Sequence, residues 1–244
     1  MSETAAKKSD LPVRAASAVV MIAIAGTALW LGGWWWPLFV AVVALAVLWE
    51  WTQLASQLSN SRLEYLCWIV GGFIYVGLAA LFLVSQRTRA ESAFSVLAII
   101  GAVVAVDIGA YFAGRTFGGP KIAASISPSK TWAGLAGGII AATLVVFAHR
   151  IAEGTCFYDG PQVRFPCLPY IWTAFFPSAI LGAAAAIVAQ AGDFFESWMK
   201  RKAGVKDSGN LIPGHGGLFD RTDGLLAVCF VLGLFELPAN FMSS

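Results

Sequence analysis

Asp193-Phe194-Phe195-Glu196-Ser197-Trp198-Met199-Lys200-Arg201-Lys202 opens a stretch that continues through Lys206-Asp207 and Pro213-Gly214-His215-Gly216-Gly217 and closes with Asp220-Arg221-Thr222-Asp223. The whole chain has 16 basic and 14 acidic side chains, and ten of these charged residues sit in the 31 positions of the stretch. Apolar sequence flanks it on both sides, so it reads as a polar segment held between two bilayer-crossing runs. Carboxylates can hold a metal ion, ammonium and guanidinium groups can hold phosphate, and a glycine-rich turn lets backbone N–H groups approach an anion. The combination points to phosphate chemistry at a membrane surface.

Outward from this stretch the chain is built of apolar runs. Hydrophobic residues make up 58% of it and charged ones 12%, where a soluble domain is about a quarter charged. Hydropathy marks seven spans, at roughly 15–32, 35–54, 64–85, 92–114, 132–148, 170–195 and 222–242. None alternates strictly as a membrane β-strand would, so the expected fold class is all-α: a polytopic integral membrane protein with about seven transmembrane helices. The first two spans lie so close that they form a tight hairpin around Gly32-Gly33. Residues 1–14 read as a polar tail, 15–100 as N-terminal helices, and 101–244 as a catalytic region with loops 115–131 and 196–221. The basic flank before Ala15 also suits a cleavable signal peptide, but Ala16 to Leu31 leads almost at once into a second apolar run, which favours a retained span.

With the N-terminus cytoplasmic, 12 Lys and Arg fall on the inner side and 4 on the outer, the asymmetry that orients membrane proteins. Both polar loops then face the cytoplasm, where nucleotides are found, and the compact chain suits a bacterial inner membrane. A net charge of +2 gives no argument for nucleic acid. Cys67 and Cys229 fall in apolar spans as packing residues. Cys156 and Cys167 share the outer loop and leave a disulfide open, and no CxxC spacing suggests zinc. Trp30, Trp34, Trp35, Trp36, Trp49, Trp51, Trp132 and Trp172 lie near span ends, as an interfacial belt would. Gly134 and Gly138 form a small-xxx-small pair, which permits close helix contact and leaves a homodimer open without establishing one.

Asp107 lies inside the fourth span, where an ionised Asp costs about 2.5–3.5 kcal/mol on insertion scales, so it is expected to face a wet or protein-lined interior. Tyr111 follows one turn later on the same face. The next loop holds Arg115, Lys121 and Lys130 as candidate phosphate contacts, with Ser127 and Thr131 as hydroxyl donors; its glycines and prolines predict a structured turn, and it lacks a P-loop pattern. In the sixth span Asp193 and Ser197 are spaced i,i+4, as are Glu196 and Lys200, so one helix end presents a carboxylate with a hydroxyl and an ion pair beside it. Asp193 and Asp220, from separate elements, are the expected clamp for a Mg²⁺ that also holds triphosphate oxygens, with room left for a second cation.

The run Ser197-x-Met199-Lys200-Arg201-x4-Lys206-Asp207-x-Gly209-x2-Ile212-Pro213-x-His215-Gly216-Gly217-Leu218-x-Asp220-Arg221-Thr222-Asp223 resembles the signature of the phosphatidate cytidylyltransferases, or CDP-diacylglycerol synthases. The block Asp107, Tyr111, Gly114-Arg115, Ser127-Pro128-x-Lys130-Thr131-Trp132 resembles the same family. The resemblance runs from about residue 100 onward, while the first hundred residues match only as generic spans. Two positions depart: Ala133 stands where the family usually has Glu, and Gly224 where it often has Ser. The chain is also short for the family, chiefly in its N-terminal part.

The resemblance implies transfer of CMP from CTP to phosphatidate at the bilayer. It implies Asp193 and Asp220 as Mg²⁺ ligands, with Asp223 or Asp107 completing the metal or polar shell. Lys200, Arg201, Lys206 and Arg221 would bind phosphates, His215 with Gly216 and Gly217 would line the nucleotide pocket, and Ser197 and Asp207 fall among the substrate-binding positions. The competing expectations are a related transferase acting on another lipid acceptor, and a transporter; transport would call for coupling acids near the midplane, commonly in related repeats.

Overall fold

The computed structural model describes residues 11–89, 93–153, 155–156, 165–166, 168–212, 214 and 216–241. Seven helices account for most of them: α1 (Leu11–Leu31), α2 (Trp35–Leu58), α3 (Arg62–Arg89), α4 (Ala93–Phe117), α5 (Trp132–Glu153), α6 (Leu168–Ala203) and α7 (Phe219–Phe241). Six of them, α1 to α6, are long and apolar enough to cross a membrane among the described residues. The all-α expectation therefore holds, and the protein is an integral membrane protein. Helices are the form such runs must take, because the hydrocarbon offers no partner for backbone N–H and C=O groups.

Turns fall where the residues demand them. Gly32 and Gly33 have φ of 61° and 48°, a left-handed pair that reverses the chain between α1 and α2 as expected. The Arg87 side chain lies over this turn and donates from Nε to the Leu29 carbonyl at 3.2 Å. Ser61 caps α3, its Oγ accepting from the Glu64 N–H at 3.2 Å, while the Glu64 carboxylate accepts from the Asn60 N–H at 2.9 Å. The loop expected at 115–131 is a β-hairpin of β1 (Lys121–Ala123) and β2 (Ser127–Thr131). A further pairing joins β3 (Thr155–Cys156) to β4 (Phe165–Pro166). Helix α6 outruns its apolar span by two turns, so Glu196 to Lys202 are still helical. It ends at Gly204, φ 72°, where the Val205 N–H bonds back to the Lys200 carbonyl at 3.0 Å.

Two apolar cores hold the bundle. One gathers Trp36, Val47, Trp51 and Leu54 of α2 with Val76, Ala79 and Phe82 of α3, Met199 of α6, and Phe219, Leu226 and Cys229 of α7. The other is small-residue packing among α4 to α7, with Val103, Val106, Ala142, Ala186, Ala189 and Val228. Gly134 and Gly138 belong to this second region. A Cβ on Gly134 would stand 3.1 Å from the Ala110 carbonyl oxygen, and one on Gly138 would stand 3.1 Å from that of Val106. The small-xxx-small face thus packs α5 on α4 within one chain and gives no support to a homodimer.

The tryptophans divide. Trp30, Trp34, Trp35, Trp49, Trp132 and Trp172 are exposed, as a belt requires, but Trp36 and Trp51 are buried. Each buried indole finds a carbonyl across the helix pair: Trp36 bonds Leu83 at 3.1 Å, and Trp51 bonds Trp68 at 2.9 Å. Cys229 is buried, whereas Cys67 lies on an exposed face of α3. The Cys156–Cys167 pairing and the placement of His215 lie outside the described residues.

Candidate active site

The charged stretch folds into one site because α6 and α7 pack side by side with their polar ends together, and Lys130 of β2 reaches across to α6. Asp193 pairs with Lys130 of β2 and accepts from the Ser197 hydroxyl at 3.3 Å. This joins the two sequence blocks that lie more than sixty residues apart in the chain. Asp107 on α4 is within electrostatic reach of both Lys130 and Asp193. Its neighbour Tyr111 instead accepts a hydrogen bond from Arg115 Nη1 at 3.0 Å on an exposed face.

Three carboxylates converge: Asp193 and Glu196 of α6 and Asp223 of α7 offer oxygens that all lie within 4.8 Å of one another. Asp223 accepts from the Gly224 N–H at 2.8 Å. Glu196 is buried, and its Oε1 has no hydrogen-bond partner among the described residues. Lys130 and Lys200 offset part of this negative charge, and hard oxygen donors, one of them without a hydrogen-bond partner among the described residues, are of the kind that fits a divalent ion.

Asp220 borders that trio through Glu196 and Lys200 without being one of its three members. Its Oδ1 receives Lys200 Nζ at 2.6 Å, and its Oδ2 accepts the Ser208 and Gly217 N–H groups, each at 2.9 Å. Lys200 also bridges to Glu196 Oε2 at 2.7 Å. Asp220 lies in the charged segment ahead of the apolar run of α7. Burial alone would push its carboxyl up, but its contacts with Glu196, Lys200 and the two N–H groups hold it well below the usual carboxylate range. The carboxylate clustered with Asp193 and Glu196 is Asp223, while Asp220 is engaged by Lys200 of α6 on one oxygen and by the Ser208 and Gly217 N–H groups on the other.

Beside the trio, on the outer turn of α6, Ser197, Lys200, Arg201, Gly204, Val205 and Lys206 line a polar cavity of about 430 Å³. Lys206 and Asp207 are exposed, as is Arg221. Gly216 takes φ of 84° and its carbonyl accepts the Ile212 N–H at 3.0 Å, which folds the Gly-rich turn back on itself. Ser127 is buried in the hairpin, its hydroxyl 3.5 Å from that of Ser129. Thr131 is buried too and caps α5, its Oγ accepting the Gly134 N–H at 3.0 Å. Ala133 is half-buried in the first turn of α5. A Cβ at Gly224 would meet only ordinary contacts, with the Ala189 carbonyl oxygen at 3.4 Å.

Three residues of this constellation were not among the expected site residues. Glu196 was read only as the ion-pair partner of Lys200. Ser208 occupies an unspecified position of the signature. Glu50 comes from α2, where it is the only charged residue in the helix. It is 1% exposed, and its carboxylate accepts from Ser208 Oγ at 2.9 Å, the Leu218 N–H at 2.9 Å and the Phe219 N–H at 2.8 Å. A lone acid in an apolar run is the signal that could have found it.

A sequence profile of the cytidylyltransferase family matches residues 12–71 and 58–236. The chain is 34% identical to a phosphatidate cytidylyltransferase of Brucella suis, with 93% of each chain covered. It is 33% identical to one of Rickettsia bellii, with 94% of each covered. A Haemophilus influenzae protein of the same name is 40% identical over 55% of this chain and 42% of its own. The likeness reaches the N-terminal helices, beyond the region where the signature lies. The Brucella and Rickettsia proteins are matched over nearly their whole length, with the Brucella alignment spanning 271 positions, more than the 244 residues of this chain.

Proposed function

This chain belongs to the cytidylyltransferase family, and from that premise we infer that it transfers CMP from CTP to phosphatidate, giving CDP-diacylglycerol and pyrophosphate. The observation that carries the reading is the meeting, on the last turns of α6, of the carboxylate trio Asp193, Glu196 and Asp223 with the basic cavity of Lys200, Arg201 and Lys206. A triphosphate needs both a cation seat and fixed positive charge within one site, and a lipid phosphate must arrive at the same place from the bilayer.

In the reaction an oxygen of the phosphatidate phosphate forms a bond to the α-phosphorus of CTP, and the bond from that phosphorus to the bridging oxygen of pyrophosphate breaks. The attacking phosphate is already ionised at neutral pH, so no strong general base is required, and alignment with charge neutralisation supplies the rate. A divalent cation, Mg²⁺ in this reading, would be held by Asp193, Glu196 and Asp223 and would neutralise phosphate charge. Arg201, near the end of α6, and Lys206, just beyond it, line the cavity and bind the β- and γ-phosphates. Lys130, paired with Asp193, sits where β2 meets the trio and can turn to the lipid phosphate. Lys200, fixed between Glu196 and Asp220, keeps those two carboxylates in place and presents its charge to the cavity wall. By the family resemblance, Asp107, Tyr111, Arg115, Ser127 and Arg221 would add polar contacts to the substrates, and Asp207, His215, Gly216 and Gly217 would serve the nucleotide. The site faces the cytoplasmic leaflet of a bacterial inner membrane.

The test is an assay on detergent-purified protein with CTP labelled in its α-phosphate. Label is expected in the organic phase only with phosphatidate and Mg²⁺ both present, and its loss in Asp193→Asn and Asp223→Asn, with the helices intact, supports the trio. Label moving equally well without Mg²⁺, or onto a polyprenyl phosphate in preference to phosphatidate, would overturn the corresponding part.

A further inference from the structure

Helix α7 carries Asp220, Arg221 and Asp223 in its first turns, yet it has no cap of its own. The residue before it is Leu218, which offers no side-chain acceptor to the first N–H groups. Those groups are met instead from α2: Glu50, 168 residues earlier, takes the Leu218 N–H on Oε1 and the Phe219 N–H on Oε2. The same Oε2 accepts the Ser208 hydroxyl. Ser208 in turn donates its N–H to Asp220 Oδ2 and accepts the Asp220 N–H on Oγ at 3.3 Å. Glu50, Ser208 and Asp220 thus form a closed ring that ties α2 to the signature loop and the start of α7. A negative charge at that helix end is also favoured by its dipole.

The glycines of the signature record the same arrangement. A Cβ at Gly209 would stand 2.5 Å from Glu50 Oε1, and one at Gly217 would stand 2.5 Å from Glu50 Oε2 and press on the Ser208 hydroxyl. Neither position has room for a side chain while Glu50 is in place. Both are needed bare for this reason, independently of any approach to a nucleotide.

We propose that Glu50 is a positioning residue for the reaction: through Ser208 and the first turn of α7 it sets where Asp220 and Asp223 stand relative to Asp193 and Glu196. It touches no substrate and acts through the loop. Without it, two N–H groups and a hydroxyl are left facing one another with no acceptor, and the first turn of α7 must shift to find one. A displacement of about 1 Å at a reacting centre can cost on the order of 100-fold in rate. The inference rests on the cytidylyl-transfer reading for its kinetic arm, but not for its structural arm.

The experiment compares the full-length protein with Glu50→Gln, Ser208→Ala and Gly209→Ala in the same detergent, by label transfer and by amide hydrogen exchange. In Glu50→Gln one oxygen becomes an NH₂ pointed at an N–H donor. Its kcat is expected to fall about 30- to 100-fold with KM for CTP and phosphatidate little changed. Exchange at residues 208–220 should rise about tenfold or more, the sign of local opening, while α4 and α5 keep their wild-type protection. Ser208→Ala, which removes one arm without stranding a charge, should show the same pattern more weakly, and Gly209→Ala should reproduce it from the opposite side. If Glu50→Gln does not accumulate, the other two variants decide. A normal kcat, a loss confined to KM, or exchange rising across all helices would each overturn the proposal. If the wild type moves no label, the reaction reading fails by itself, and the exchange pattern still decides whether Glu50 holds the loop.

Discussion

Lys200 makes the case at the scale of a single residue. Its ammonium lies 2.7 Å from Glu196 Oε2 and 2.6 Å from Asp220 Oδ1, and both carboxylates are almost fully buried. Removing one partner from a buried ionic cluster strands the others, which costs about 3–5 kcal/mol. Lys200→Met is therefore expected to lower the thermal midpoint of the solubilised protein sharply, and Lys200→Arg to restore most of it. An unchanged midpoint in Lys200→Met would mean that the bridge carries no structural weight. The i,i+4 spacing of Glu196 and Lys200 announced half of this cluster. The other half, Asp220 across 20 residues, depends on how the loop returns, which no local pattern reports.

Between elements, the contact of α4 with α5 rests on the absence of side chains. Gly109 lies against the Gly137 carbonyl, and Gly137 against Ala113 and the Gly109 carbonyl, while Gly138 abuts Val106. In lipid, close backbone approach of this kind replaces the hydrophobic drive that packs helices in water. Gly138→Leu should separate the pair and carry Thr131 and Lys130, at the foot of α5, away from Asp193. The expected result is reduced thermal stability and a large loss of label transfer, with no change in oligomeric state by light scattering. A shift in oligomeric state without loss of stability would return the glycine face to an intermolecular role. The sequence marked the Gly134 and Gly138 pair as a contact surface but not its partner, because small-residue spacing is the same whether the second helix belongs to one chain or two.

For the molecule as a whole, the orientation of the bundle decides which compartment supplies the nucleotide. Counting Lys and Arg puts 12 of 16 on the side of the site, an asymmetry that orients membrane proteins. A cysteine introduced at Lys121, in the β1–β2 hairpin, should react with an impermeant maleimide in inverted vesicles and not in intact cells. One at Gly33, in the α1–α2 turn, should show the reverse. Labelling of both from the same side would overturn the orientation and, with it, the cytoplasmic placement of the site.

The sequence by itself determined the helices, the two polar segments and the reaction class. Long apolar runs can only be helices in hydrocarbon, and a dense set of acids, bases and glycines beside them has a chemical use wherever it folds. It also marked residues that the fold brings near one another, Asp193, Ser197, Lys200, Asp220, Asp223 and Lys130, but not Glu50 or Ser208. Only the tertiary structure decided how they divide. It sets Asp223 and Glu196 beside Asp193, and turns Asp220 inward to Lys200, Ser208 and Gly217. It brings Glu50 from a helix that read as a plain span to the head of α7. The physical reason is common to both. Carboxylates are interchangeable in a motif, and what distinguishes them is which donors lie within 3 Å, a matter of how loops and helices return, across 12 and 20 residues for Asp220 and more than 150 for Glu50.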